Sequence, residues 1–321
     1  MPKDPNTAQV VTILDDYQGV ALTSADWAPL RNRFTVEVIT EHIADEAGLV
    51  RLLGASQVVV AMRERTPFPA RLLTQLPQLQ LLVTTGRKNS AIDVAAARSQ
   101  GITVSGTEHS SSMPEFTIGI MIALTRNFAR EDAAIRAGGW QRTIGPGLAG
   151  HTLGIVGLGR VGIPVARLAH AFDMTVVAWS PNLTQDRADL HGVHAVDKST
   201  LFATSDVITI HMPLSGTSRG TVGAAELALM KPTAYLINTS RGPIVDEAAL
   251  IAALSEQRIA GAGLDVYDVE PLPAEHPLRS LRNTLLLPHI GYVTTDNYRI
   301  WFGQVVEDIV AWADGAPIRE L

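Results

Sequence analysis

The stretch His151-Thr-Leu-Gly-Ile-Val-Gly-Leu-Gly-Arg-Val-Gly162 decides the fold of this chain. An apolar run leads into the pattern Gly-x-Gly-x-x-Gly, a helical pattern follows, and a second apolar run covers 175–179. A strand, a tight glycine turn, a helix and a second strand in this order are typical of a βαβ unit that binds a dinucleotide.

Each glycine of this motif has a separate physical role. Gly157 permits a sharp turn, Gly159 lets the backbone approach a pyrophosphate, and Gly162 lets the helix pack closely on the strand. The N–H groups at the start of the helix then attract phosphate oxygens, because they have no partner within the helix. The motif therefore predicts a nucleotide site at the start of this helix.

Composition and charge limit the class of protein. The chain has 321 residues, of which 46% are hydrophobic and 18% charged, and this predicts a globular protein of two domains. A net charge of −6 argues against a surface for nucleic acid or an anionic membrane. The absence of cysteine excludes disulfides and thiolate metal sites. The first six residues lack a signal-peptide pattern, and the apolar run 116–124 is shorter than the ~20 residues that span a bilayer, so we expect a cytoplasmic protein.

The remaining pattern predicts two α/β units. Apolar runs alternate with helical patterns over 9–104 and again after the glycine motif, which is typical of parallel sheets covered on both faces. Ser112, Pro114 and Glu115 form a helix-start pattern with a capping box. A long amphipathic helix over 295–313 is expected to cross back to the first unit.

Three polar residues follow strands of the predicted dinucleotide unit, where open α/β sheets bind their ligands. They are Arg241, Glu270 and His289. A histidine can supply the proton that reduction of a ketone by hydride requires, a carboxylate favours its protonated form, and an arginine can grip a substrate carboxylate. From the residues alone, a purely structural role is equally possible. Arg241 could be a helix-end or surface charge, Glu270 a turn residue, and His289 a loop histidine with satisfied hydrogen bonds.

The later motifs bring in a resemblance to a known family. Gly-Leu-Gly-Arg-Val-Gly, Asn-Thr-Ser-Arg-Gly-Pro-Ile-Val-Asp, Gly-Leu-Asp-Val-Tyr-Asp-Val-Glu-Pro-Leu and Leu-Pro-His-Ile-Gly-Tyr follow one another over residues 150–295. In order and spacing they resemble the D-isomer-specific 2-hydroxyacid dehydrogenases. The resemblance implies that His289 is the acid/base, that Glu270 pairs with it, and that Arg241 binds the carboxylate and carbonyl of the substrate.

The same resemblance implies further binding residues. The backbones of Arg160 and Val161 would bind the pyrophosphate, and Asp265 would hold the nicotinamide carboxamide. The loop that contains Gly86 and Arg87 resembles the loop that holds the substrate carboxylate through its N–H groups. The alternative role of Asp265 is a cap at the end of a strand. The alternative role of Arg87 is a solvated surface charge. Two further positions match the cofactor pocket: Pro213 and Thr239.

The chain departs from the usual NAD-binding pattern at Ser180. An acidic residue that binds the ribose hydroxyls is usual at the end of the second strand of the motif, and Ser180 stands there instead. The missing acid opens the site to NADP, but no arginine follows directly, and Arg187 would have to reach back. We therefore expect NAD, with NADP left open.

The other histidines do not form a metal-binding pattern. His191 and His194 are expected in a loop without matching carboxylates, and His211 ends a strand, where a buried structural role is favoured. The chain contains no HExxH motif. We expect no metal.

The combined interpretation is two doubly wound parallel-sheet domains, a Rossmann dinucleotide domain (108–295) and a flavodoxin-like substrate domain (1–107 with 296–321). The expected activity is NAD(P)-dependent interconversion of a 2-keto acid and a D-2-hydroxy acid, in a homodimer built around the helix near Ser112. Candidate substrates include 3-phosphoglycerate, glyoxylate, hydroxypyruvate and larger 2-keto acids; the lack of a C-terminal regulatory domain counts against the first. The alternative is a non-catalytic, NAD-sensing corepressor-like protein of the same fold.

Overall fold

The computed structural model describes residues 9–108 and 112–321. The described residues form two compact units, one of 9–108 with Val293–Leu321 and the other of 112–292. Each unit contains one parallel sheet, which confirms the predicted fold class. The six N-terminal residues on which the signal-peptide argument rests lie outside the described residues.

The first unit has a five-stranded parallel sheet in the order β2-β1-β3-β4-β5, the flavodoxin-like order. The central strands are buried along their whole length, as expected of a parallel sheet covered by helices on both faces. The elements are β1 (Gln9–Ile13), β2 (Phe34–Val38), α1 (Glu46–Leu53), β3 (Val58–Ala61), α2 (Ala70–Leu73), β4 (Leu81–Thr84), α3 (Val94–Ser99) and β5 (Thr103–Gly106).

The second unit has a seven-stranded parallel sheet in the order β12-β11-β10-β9-β6-β7-β8. The elements are α4 (Met113–Thr125), α5 (Phe128–Arg136), β6 (Thr152–Val156), α6 (Gly162–Ala171), β7 (Thr175–Trp179), α7 (Gln185–Asp189), β8 (His194–Ala195), α8 (Lys198–Thr204), β9 (Val207–Ile210), α9 (Ala224–Leu229), β10 (Tyr235–Asn238), α10 (Glu247–Ser255), β11 (Gly261–Leu264) and β12 (Thr284–Leu286).

The last helix, α11 (Thr295–Ala313), belongs to the first unit and packs against β4. The hydroxyl of Thr294 caps it by accepting the N–H of Asn297 at 3.2 Å. Its buried stripe includes Trp301, Val305 and Ile309, because these residues recur on one helical face. None of the helices in the described part of the chain is both long and apolar enough to cross a membrane.

The capping box predicted at the start of α4 is wrong. The Ser112 side chain does not cap the helix, and its hydroxyl donates instead to the carbonyl of Gly291 at 2.7 Å. Gly291 is 179 residues away along the chain, so local sequence reasoning had no access to this partner. The bond ties the start of α4 to the segment that follows β12.

Short elements after β7 also escaped the sequence pattern. His194 lies in the edge strand β8 and not in the predicted loop. The carboxylate of Asp197 accepts the N–H of Thr200 at 2.8 Å and so caps α8. A strand of two residues is too short to show the alternation by which strands are recognised.

We expect the variant Gly157→Ala to be less stable than the wild type. Gly157 has φ +105°, and a Cβ there would lie 2.8 Å from the carbonyl oxygen of His211. The strained backbone and the contact together should lower the free energy of unfolding by about 1–3 kcal/mol. Gly159→Ala is the matched control, because a Cβ at Gly159 meets no atom within 4 Å. Differential scanning calorimetry should show a lower Tm for the first variant alone, and equal Tm values would contradict this prediction.

Candidate active site

Three adjacent strands bring the predicted catalytic residues to one edge of the seven-stranded sheet. Arg241 lies in the loop after β10, Glu270 in the loop after β11, and His289 in the loop after β12. These strands are parallel neighbours, so their carboxyl ends lie side by side. The loops therefore emerge together, as in other open α/β sheets.

His289 and Glu270 form a short hydrogen-bonded pair. Nδ1 of His289 lies 2.6 Å from Oε2 of Glu270, and the backbone N–H of Tyr267 donates to Oε1 at 2.9 Å. Partial desolvation of the Glu270 side chain, which is 30% exposed, opposes its ionisation. The hydrogen bonds from His289 and Tyr267 and the charge of Arg241 outweigh this effect, so the pKa of Glu270 is lowered. Because an ionised carboxylate only accepts hydrogen bonds, Nδ1 carries a proton and Nε2 is left to meet a ligand.

The backbone presents His289 in an uncommon conformation. Its φ is +55°, in the left-handed region that non-glycine residues seldom adopt. The ring packs edge-on against Tyr292, with 5.3 Å between the centroids. Strained residues of this kind persist where the surrounding structure holds them, and at this position two neighbouring side chains do so.

Asp265 is the first of these two side chains. Its carboxylate oxygens accept the N–H groups of Ile290 at 2.8 Å and of Gly291 at 2.9 Å, directly after His289. Asp265 is buried, and burial, only partly offset by these hydrogen bonds, raises its pKa to about 6. Sequence reasoning assigned this side chain to the cofactor; the structure shows that it fixes the backbone beside the histidine.

Tyr267 is the second, and sequence reasoning missed it. Its buried hydroxyl lies 3.2 Å from the carbonyl oxygen of Leu264 and 2.9 Å from that of Leu287. The tyrosine therefore joins the loop that carries Glu270 to the strand end that carries His289. Burial raises the pKa of Tyr267, so the hydroxyl stays a donor at neutral pH. No local pattern marks such a partner, because Leu287 is 20 residues away.

Arg241 is half-buried, and the residue after it makes a close backbone contact. A Cβ on Gly242 would overlap the backbone of Tyr267 and Asp268, so only glycine fits between the two loops without a shift. Nη1 of Arg241 donates to the carbonyl of Ser240 at 2.7 Å, and Asn238 donates to the carbonyl of Arg241 at 3.0 Å.

The glycine-rich turn has the shape that a pyrophosphate requires. Gly159 is exposed with open space where a side chain would stand, whereas a Cβ on Gly162 would overlap the carbonyl of Gly157. The backbone N–H groups of Arg160 and Val161 have no hydrogen-bond partner among the described residues. The open space at Gly159 and the close packing at Gly162 therefore both fit the pyrophosphate site that the sequence predicted.

The other predicted cofactor residues lie in the same unit. The hydroxyl of Ser180 accepts the N–H of Leu158 at 3.0 Å, so it holds the glycine turn itself. Pro213 is exposed in the loop after β9, and Thr239 is buried at the end of β10, with its hydroxyl 3.5 Å from that of Thr117.

The predicted substrate loop belongs to the first unit. Gly86 has φ +104°, and its N–H already donates to the hydroxyl of Thr107 at 2.8 Å. Arg87 is exposed and forms an ion pair with Glu108 at 3.1 Å. Both residues follow β4 at the carboxyl edge of the five-stranded sheet.

His211 is half-buried directly after β9, so it is less buried than the sequence analysis favoured. Burial lowers its pKa to about 3, so the ring is neutral, and Nε2 lies 3.0 Å from the hydroxyl of Thr209. Within the described ranges, no three His, Asp or Glu side chains come together in a way that could hold a metal ion.

Comparison with known proteins agrees with this geometry. Residues 118–291 match the sequence model of the D-isomer-specific 2-hydroxyacid dehydrogenase NAD-binding domain. The D-3-phosphoglycerate dehydrogenase of Archaeoglobus fulgidus is 36% identical over 294 residues, 90% of this chain and 55% of that protein. The glyoxylate reductase of Thermofilum pendens is 35% identical over 282 residues, 85% of this chain and 78% of that protein. The chain thus spans about half the length of the first of these relatives.

A solved structure extends the similarity to the whole fold. The phosphoglycerate oxidoreductase of Vibrio cholerae O395 is 34% identical, has a TM-score of 0.91, and matches 96% of this chain and 100% of that one. The matched NAD-binding domain contains the glycine motif, Arg241, Glu270 and His289. The resemblance that the motifs predicted is therefore confirmed, and the chain belongs to the D-isomer-specific 2-hydroxyacid dehydrogenase family.

Proposed function

We propose that this protein is an oxidoreductase that interconverts a 2-keto acid and a D-2-hydroxy acid. The observation that carries the proposal is the 2.6 Å pair between His289 and Glu270, beside the loop of Arg241, in a domain that matches the family's NAD-binding domain. Names of relatives support the class: D-3-phosphoglycerate dehydrogenase, glyoxylate reductase and glycerate dehydrogenase. None of these names describes a corepressor, so the non-catalytic alternative is not favoured.

The residues divide the work of the reaction between them. A bound nicotinamide dinucleotide supplies or accepts the hydride at the substrate carbon. During reduction, Nε2 of His289 donates a proton to the carbonyl oxygen, and Glu270 stabilises the imidazolium that makes this donation. Arg241 binds the substrate carboxylate and polarises the carbonyl. In the reverse direction, neutral His289 takes the hydroxyl proton.

The two units have separate roles in this proposal. The unit of 112–292 binds the dinucleotide, and the unit of 9–108 with Val293–Leu321 contributes substrate-binding groups from the loop of Gly86 and Arg87. Asp265 would keep its bonds to the backbone after His289 and would hold the nicotinamide carboxamide. Ser180, Pro213 and Thr239 complete the pocket. The cytoplasmic location stays a prediction from the sequence.

His289→Gln should remove most of the turnover and retain the cofactor. Glutamine cannot donate a proton of suitable acidity, so kcat for keto-acid reduction should fall by roughly 10²–10⁴-fold. The Kd for NADH, measured by fluorescence titration, should stay at its wild-type value because the glycine turn is intact. An unchanged kcat with glyoxylate, hydroxypyruvate and larger 2-keto acids would remove His289 from the mechanism.

We propose NAD as the cofactor, with NADP as the second candidate. No acidic side chain stands at Ser180 to repel a 2′-phosphate, and Nη1 of Arg187 donates to the carbonyl of Asn182 at 3.1 Å. Arg187 therefore reaches back to the loop after β7. Because a positive charge in this loop could bind a 2′-phosphate, NADP stays the second candidate.

The ratio of kcat/KM for NADH and NADPH tests this choice. We expect a preference for NADH, because no arginine directly follows Ser180 to bind a 2′-phosphate. A large preference for NADPH that Arg187→Ala abolishes would reverse the assignment.

We also propose a homodimer built around α4, the helix that starts near Ser112, in which a second copy covers an exposed apolar surface on the helix that follows α4. The surface lies on α5 and the segment after it, where Trp140 is 72% exposed. Large exposed apolar side chains that lie close together in the chain are typical of protein interfaces. The patch consists of Phe128, Ile135, Trp140 and Ile144.

Sedimentation should show a particle of twice the 34.4 kDa chain mass at micromolar concentration. Ile144→Asp should shift it to the monomer, because a buried unpaired charge opposes association. Leu190→Asp is the control, since Leu190 is also apolar and is 78% exposed but follows α7. A monomeric wild-type protein would refute the proposal.

A further inference from the structure

One carboxylate holds both ends of the loop that carries Glu270. Oε2 of Glu247 accepts the N–H of Asp268 at 3.4 Å, and Oε1 lies 3.0 Å from Nε2 of His276. Glu270 lies between these two attachment points in the chain. Glu247 begins α10, so its position is set by a regular helix and not by the loop itself.

The hydrogen bonds define the protonation of His276. Its Nδ1 accepts the N–H of Leu278 at 3.4 Å, so Nδ1 carries no proton. The proton then sits on Nε2, which donates to Glu247. The pair is partly shielded from water, with exposed side-chain fractions of 15% for His276 and 22% for Glu247. We call the pair of Glu247 and His276 the outer pair, and the pair of Glu270 and His289 the inner pair.

The loop needs such an attachment because few of its own side chains are buried. Asp268, Val269 and Glu270 are all exposed residues. The hydroxyl of Tyr267 and the close contact with Gly242 hold the start of the loop. Glu247 holds it at Asp268 and at His276. A hydrogen bond of 2.6 Å depends steeply on position, so loss of one side of this support should lengthen it.

We propose that Glu247 is a positioning residue of the reaction, with His276 as its partner, and that together they hold Glu270 against His289. This inference rests on the proposed function. Glu247 bonds to Asp268 and His276 of the loop, and we infer that it acts on His289 only through the loop.

The consequence concerns the pH range of the reduction, which requires protonated His289. A well-placed carboxylate stabilises an imidazolium, so a displaced Glu270 stabilises protonated His289 less. The alkaline limb of kcat/KM for keto-acid reduction then moves to lower pH. Other charges surround these groups and must stay unchanged in the test. Arg219, Asp246 and Asp268 surround the outer pair, and Arg241 and Asp265 surround the inner one.

Two variants break the attachment in different ways. Glu247→Gln removes the charge and one of the two acceptors, whereas His276→Ala retains the carboxylate and removes its donor. Both should move the alkaline limb to lower pH by about half a unit or more. Both should lower kcat several-fold while KM for the dinucleotide stays unchanged. His276→Gln, which restores an N–H donor, should recover part of the loss.

Glu226→Gln is the matched control. Glu226 also accepts a backbone N–H, from Gly223 at 2.9 Å, and it also pairs with a basic side chain, Lys198 at 2.8 Å. Its exposed fraction of 19% is close to that of Glu247. This variant should lower Tm as much as Glu247→Gln without moving the pH limb.

The outcomes separate the inference from the function beneath it. If the alkaline limb of kcat/KM stays at its wild-type pH in both Glu247→Gln and His276→Ala, the positioning role is overturned. The role is also overturned if Glu226→Gln moves the alkaline limb as far as these two variants do. A limb that moves in Glu247→Gln alone also overturns it, because the effect is then one of charge and not of position. The absence of 2-keto-acid reduction by the wild-type protein, with either NADH or NADPH, overturns the proposed function itself.

Discussion

The parallel register of β10, β11 and β12 is the constraint on which the site depends. Their backbone hydrogen bonds align the ends of all three strands, so residues far apart in sequence emerge at one edge. Side chains contribute little to this alignment, because the sheet is built from backbone groups that must be paired when buried. The polar residues of the site lie just beyond the last paired positions, where the backbone is released from the sheet and can bend.

Buried polar groups then connect the loops to each other. Asp265 and Tyr267 follow β11. The polar atoms of both side chains form hydrogen bonds with backbone groups of the segment that follows β12, the neighbouring strand. An unsatisfied buried polar group costs about 1–3 kcal/mol, so these bonds hold the loops in one arrangement. The left-handed backbone of His289 persists because Asp265 binds the two residues after it. Glu247 acts in a similar way on the loop that carries Glu270, because its carboxylate bonds to Asp268 and His276 of that loop.

The family and the fold were accessible from the sequence for a clear reason. The glycine motif encodes a local backbone geometry, and the apolar runs encode burial on both faces of a parallel sheet. The capping box at Ser112 failed because a distant carbonyl, that of Gly291, competes for the same hydroxyl. Ser180 was interpreted through the missing acid alone, whereas its hydroxyl also supports the glycine turn.

By itself, the sequence determined that the chain has two parallel α/β units, a nucleotide-binding turn, and Arg241, Glu270 and His289 at strand ends. Those features follow from residue type and short spacing, which act locally. Only the tertiary structure decided that Glu270 meets Nδ1 of His289, that Asp265 anchors the backbone beside it, and that Glu247 with His276 supports the loop from outside. These contacts join residues 19 to 29 positions apart, and the distance between them is set by strand pairing and loop packing, which no local pattern records.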